Sequence, residues 1–183
     1  MTLDPVHSAE MQRYVAVVAI TPSALRNLGA KGFVGTAQKF LGGIDLEPLV
    51  HMGPSEYPGW LDSRSAELME AFPIEQRWGP ARKCVNIFMV MAALNRFLCA
   101  AYALEHLEGV FEVPLDTRVA IRVLKWAKRK SPPSGELPVW RSIKKLDKEN
   151  SEMFQKLASE IAKEQGIPRG HLDVAFWPPG DDQ

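Results

Sequence analysis

Three features of the 183-residue chain predict a mainly α protein. Apolar residues recur at three- and four-residue spacing over several windows. Strand-like alternation is nearly absent. Glycines, prolines and capping residues separate the helical windows. An apolar fraction of 46% and a charged fraction of 24% suit a soluble globular chain of one domain, or two small lobes sharing a core.

Residues 8–19 start on a capping serine, Ser8, and carry Met11, Tyr14, Val15 and Val18 at helical spacing. Thr21-Pro22-Ser23 has the form of a second helix start, for a short helix ending near Asn27-Leu28-Gly29. Residues 32–41 predict another short helix, stopped by Gly42-Gly43. The segment 44–60 holds three prolines and two glycines, so it reads as a loop with at most one turn of helix. Asp62 or Ser63 then caps a helix through Met69 and Phe72 that ends before Pro73. Residues 84–104 form one long apolar helical run. Asp116 caps a basic helix over 117–130, broken at Ser131-Pro132-Pro133. A last amphipathic helix spans about 149 to 165, with Met153, Leu157, Ile161 and Ala162 on one face, and Gly166-Ile167-Pro168 ends it. A short helix or strand, His171 to Trp177, closes the chain before a loose tail.

The net charge of zero conceals an uneven distribution. Residues 1–78 carry 6 basic and 9 acidic side chains, residues 79–148 carry 13 and 6, and residues 149–183 carry 3 and 7. A central basic block between acidic ends can create a local positive face, though a plain solvated charged surface has the same composition. The two cysteines, Cys84 and Cys99, lie roughly 22 Å apart along one helix, too far for a disulfide. With no charged-then-apolar segment at the N-terminus, the expected location is cytoplasmic. The apolar run 84–104 is long enough for a membrane span, but Asn95 and Arg96 at its middle argue for a central core helix instead. No metal-ligand cluster is legible, and no cofactor is expected.

The apolar run opens on Trp78-Gly79-Pro80-Ala81-Arg82-Lys83-Cys84-Val85-Asn86. Gly79-Pro80-Ala81 reads as a tight turn just before a helix, where free N–H groups and the helix dipole favour an anion such as a phosphate. Arg82 adds charge that would attract a nucleic-acid backbone. Downstream, Val113-Pro114-Leu115-Asp116-Thr117-Arg118-Val119 places one carboxylate at the mouth of the basic helix.

These two strings resemble, in order and position by position, motifs of the helix-hairpin-helix DNA glycosylase superfamily. Its endonuclease-III-like branch has Gly-x-Gly-Arg-Lys-x-x-Asn where this chain has GPARKCVN, and Val-Asp-Thr-His/Arg-Val where it has PLDTRV. The match covers about residues 70–130. Ala81 stands where that branch has its second glycine. Lys83 and Asp116 lie 33 positions apart, roughly twice the branch's spacing. The long gap is similar to that of the archaeal 8-oxoguanine glycosylases, which lack an iron–sulfur cluster. The resemblance implies one unit over 1–183, a two-lobed helical fold with a central cleft. Its parts are an N-terminal helical part (1–76), the hairpin and aspartate region (77–130) and C-terminal helices (131–183).

The resemblance further implies that Asp116 is the catalytic carboxylate and Lys83 a Schiff-base lysine. Gly79, Pro80, Ala81 and Arg82 would hold the DNA backbone, with Arg118 and Lys125 adding charge from the basic helix. The partner would be double-stranded DNA with a damaged or modified base. An oxidised purine is the first expectation and a bulky phage-type modification the second. Breaking an N-glycosidic bond builds positive charge on the sugar, so a nearby carboxylate stabilises the transition state. An amine can attack the same carbon and form an imine. Weaker candidates for a base pocket are Ser23, Arg26, Asn27, Trp78, Asn86, Asn95, Arg96, His171 and Asp173. The competing readings are a helix-hairpin-helix module that binds DNA without catalysis and a helical protein–protein adaptor.

Overall fold

The computed structural model describes residues 4–23, 25, 32–73, 77–130 and 137–176. Among these the structure is helical, with no strand. The first helix, α1 (Pro5–Ala19), starts three residues before the expected Ser8. Asp4 is its N-cap, accepting from the Val6 N–H at 3.1 Å, and Pro5 occupies the first turn. An Asp-Pro start outcompetes a lone serine because cap and fixed φ act together. Only Thr21–Ser23 and Leu25 of the next expected helix are described, and they form turns, with Thr21 Oγ1 2.8 Å from Ser23 Oγ.

Helix α2 (Phe33–Leu41) follows Gly32, whose φ of 99° is left-handed and suits glycine. Two buried or half-buried glutamines lock α1 and α2 together. Gln12 Nε2 donates to the carbonyls of Leu41 (2.9 Å) and Ile44 (2.8 Å), and Gln38 Nε2 donates to that of Ile20 (2.7 Å). Each helix thus satisfies carbonyls that the other's C-terminus leaves unpaired.

Residues Glu47–His51 form a 3₁₀ turn. Helix α3 (Tyr57–Ala71) then begins five residues before Asp62, which corrects the expected cap. Pro58 sits in its first turn, and Glu56 Oε2 accepts from the Gly53 N–H at 2.8 Å, closing the preceding loop. Asp62 is therefore inside a helix, with its carboxylate released for other partners.

The apolar run divides in two, α4 (Trp78–Leu94) and α5 (Arg96–Ala101). Asn95 causes the break. Its Oδ1 accepts from the N–H groups of Phe97 and Leu98, both at 3.1 Å, and starts the second helix. No helix among the described residues is long and apolar enough to cross a membrane. A 3₁₀ segment, Leu104–Val110, leads into extended backbone over 111–116.

The remaining helices are α6 (Thr117–Arg129), α7 (Lys148–Gln165) and α8 (Leu172–Ala175), with 3₁₀ turns at Ile143–Lys145 and Arg169–His171. Asp116 and Asp147 cap α6 and α7, accepting from Val119 N–H (2.9 Å) and Asn150 N–H (2.8 Å). Gly166, at φ 66°, ends α7. The closing element expected at 171–177 is helical as far as it is described.

Two apolar clusters fill the interior. One joins α1 to α5 with Leu104, Leu107 and Phe111. The other joins α6, α7 and α8 through Val119, Val123, Phe154, Ile161, Leu172 and Phe176. The chain passes from the first to the second between Phe111 and Val113, just ahead of Asp116.

Candidate functional site

Gly79, Pro80 and Ala81 are not an exposed turn. They form the first turn of α4, with Arg77 at its N-cap position, and all three are buried. The connection from α3 is Phe72–Arg77, of which 74–76 lie outside the described residues. The expected phosphate cradle at 79–81 is thus corrected: the segment packs inward against the loop around Ile143. A Cβ on Gly79 would lie 2.2 Å from the Ile143 carbonyl oxygen and 3.0 Å from Leu146 Cβ. Glycine is required there by close backbone approach, not by turn geometry. Gly79→Ala is expected to destabilise the fold by about 2 kcal/mol or more, through forced separation of backbone from backbone. A thermal melt at neutral pH checks it, and an unchanged midpoint would contradict this packing.

Arg82 also points inward, only 5% exposed, so its expected contact with DNA is corrected as well. Its guanidinium makes a two-pronged pair with Glu112, Nε to Oε2 at 2.9 Å and Nη2 to Oε1 at 2.8 Å. Nη1 donates to Asp62 Oδ1 at 2.7 Å. Asn86, one helical turn further along α4, donates from Nδ2 to Glu112 Oε2 at 2.9 Å. On the outer side Lys148 Nζ reaches Asp62 Oδ2 at 2.7 Å. Burial alone would raise the Asp62 carboxyl, but Lys148 and Arg82 hold it below its ordinary value. Trp78 lies half-buried with its ring centre 5.3 Å from the Arg82 guanidinium carbon.

Glu112 belongs to the extended segment that ends at Asp116, so this network anchors that segment to α4. Two further groups hold it. Gln155 on α7 accepts from the Val113 N–H (3.1 Å) and donates to the Val113 carbonyl (2.8 Å). Arg169 donates to the carbonyls of Val110 (2.8 Å) and Phe111 (2.9 Å). With Val113, Pro114 and Leu115 buried, the position of Asp116 is set from three directions.

Lys83 follows Arg82 on α4 and faces the other way, toward Asp116. Its Nζ is 4.0 Å from Asp116 Oδ2, and the side chains are 12% and 38% exposed. That separation is an ion pair rather than a hydrogen bond. The two residues singled out for chemistry, 33 positions apart, therefore meet. Asp173, in the first turn of α8, shares their surroundings. Burial raises its carboxyl above the ordinary value, the Asp116 charge adds to that, and Lys83 and Arg118 oppose it. The group thus holds two carboxylates and two cations from three helices.

Asp173 carries a pH signature. A raised native value means that the folded protein binds more protons than the unfolded chain between the two values. Its contribution to stability is greatest below the unfolded carboxylate range and is lost as pH rises through the native value. Asp173→Asn is therefore expected to raise the melting temperature at neutral pH, with the gain vanishing near about pH 3.5. Equal shifts at both pH values would contradict this.

The other candidates fall elsewhere. Asn95 uses its polar atoms for the α5 cap and for Met11 Sδ at 3.5 Å. Arg96 is exposed, over the Phe97 ring. Both lie at the far end of α4, so neither joins a base pocket around Lys83. Ser23 is exposed beside Thr21, and Arg26 and Asn27 lie outside the described residues. His171 is half-buried next to α8, while Arg118, Lys125, Lys128 and Arg129 are exposed on α6. Lys130 pairs with Glu164. Cys84 is fully buried and its thiol is pushed up to about 12, so it is no nucleophile. No group of three or more potential metal ligands occurs among the described residues.

Glu112, Gln155 and Arg169 escaped the sequence reading, which took Asp62 only for a helix cap. Glu112 had one local signal, a lone charge between Phe111 and Val113. The site thus defines a helical protein with a lysine–carboxylate pair at the junction of two apolar clusters. The chain matches no protein-family model, no curated protein and no solved structure.

Proposed function

We propose that the chain is a DNA glycosylase with lyase capability, acting on a damaged base flipped from the duplex. The observation that carries this reading is the approach of Lys83 Nζ to Asp116 Oδ2, 4.0 Å, across 33 positions of sequence. An amine and a carboxylate at that separation can address one sugar carbon from two sides. The similarity of both motifs to helix-hairpin-helix glycosylases supports it. So does the exposed basic face of α6, which begins at Asp116 and carries Arg118, Lys125, Lys128 and Arg129.

In this reading the Lys83 amine, once its ammonium proton has passed to solvent, forms a bond to C1′ as the glycosidic bond breaks. Asp116 stabilises the positive charge that develops on the sugar. The departing base takes a proton from solvent, the Lys83 nitrogen gives one to a carboxylate, and the C1′–O4′ bond then opens with that proton delivered to O4′ as the imine forms. The imine then permits strand cleavage by β-elimination.

The test is a panel of duplexes, each with one altered base. Release of an oxidised purine is expected first, with affinity that falls steeply as salt rises. Salt-dependent binding without release of any base would make the chain a non-catalytic DNA-binding module.

A further inference from the structure

We propose that the chain forms a two-fold symmetric dimer in which the exposed face of α1 packs antiparallel against the same face of a second copy. Nine large apolar side chains are exposed among the described residues, and six of them lie on α1 or the end of α4. Val6, Tyr14, Val17 and Val18 project from α1, and Met91 and Leu94 from the end of α4 beside it. Tyr14, Val15 and Val18 line a shallow groove with Met91, Leu94 and Asn95. Concentration of this kind exceeds the scatter of single apolar residues normal on a surface.

The pattern of α1 identifies the occupant. At about 100° per residue, Val6, Glu10, Arg13 and Val17 lie within about 60° of one another, as one exposed stripe. Reversing that stripe about its midpoint, between Met11 and Gln12, exchanges Val6 with Val17 and Glu10 with Arg13. A second copy laid antiparallel therefore meets Val17 with Val6 and Arg13 with Glu10, twice each by symmetry. A parallel copy would set Glu10 on Glu10 and Arg13 on Arg13, so charge selects the antiparallel arrangement. The charges are available for it. Among the described residues Arg13 has no ion pair and the Glu10 carboxylate reaches only His7, at 3.9 Å. Leu94 lies eleven residues along α4 from Lys83, about 16 Å, so the dimer leaves the lysine–carboxylate pair uncovered. The inference is independent of the proposed chemistry.

Sedimentation of the full chain over about 1–300 µM tests it. A concentration-dependent dimer is expected. Val17→Asp should weaken it about tenfold or more, and Arg13→Glu and Glu10→Arg should each do the same by placing like charges together twice. The exchange Glu10→Arg with Arg13→Glu restores the pairing and should recover affinity to within a few-fold. All three positions are solvent-facing, and circular dichroism confirms that the variants fold. A monomer throughout the range, a dimer indifferent to Val17→Asp, or a charge exchange without recovery would each overturn the proposal.

Discussion

Asp116→Asn is expected to slow base release by about a thousandfold while leaving the fold and duplex affinity nearly unchanged. The two roles of this residue separate cleanly in that substitution. As N-cap of α6 it accepts from the Val119 N–H through Oδ1, and asparagine caps about as well. As the carboxylate beside Lys83 it supplies negative charge through Oδ2, which asparagine removes. Asp116→Ala loses both, so it should additionally cost about 1 kcal/mol of stability. Single-turnover kinetics on a lesion-bearing duplex, with melts of all three proteins, distinguish the roles. Retained turnover in the asparagine variant would remove Asp116 from the mechanism.

Glu112→Ala has the second large effect, on stability. Arg82 is 5% exposed and would keep its charge with its two-pronged partner gone. Breaking one side of a buried pair typically costs about 3–5 kcal/mol, because the remaining charge is left without compensation. Asp62 remains as a partner but faces solvent and Lys148 on its other side, so it offsets only part of the loss. Replacing both ends, Arg82→Met with Glu112→Leu, should recover most of the stability. It should not recover base release, since the ordered path from Arg82 and Asn86 to the Asp116 segment is gone. Chemical denaturation of the single and double variants checks the energetics. A Glu112→Ala cost below about 1 kcal/mol would mean the pair is not the anchor described above.

Legibility followed the range of the interactions involved. Helices α2 and α7 were predictable nearly to the residue, because Gly32, Gly42 and Gly166 act within one turn of the backbone they terminate. The early start of α3 was not, since Pro58 in a segment rich in prolines and glycines reads equally as loop. The break at Asn95 was hidden by apolar flanks that continue unchanged through it. Arg82 was misread for a different reason. Its partners lie 20 and 30 positions away in sequence, and no local pattern shows that they return to it. Lys83 and Asp116 were legible as a pair only through their motifs, whereas the groups that hold Asp116 in place, Glu112, Gln155 and Arg169, became visible only in three dimensions.

The most direct test of the lysine–carboxylate site is reductive trapping. The protein is incubated with a duplex containing an oxidised purine in the presence of borohydride, and the adduct is mapped by peptide mass. A covalent adduct on the Lys83 peptide, absent in Lys83→Ala, is the result predicted. An adduct on another amine, or base release that persists undiminished in Lys83→Ala, would contradict the role assigned to Lys83.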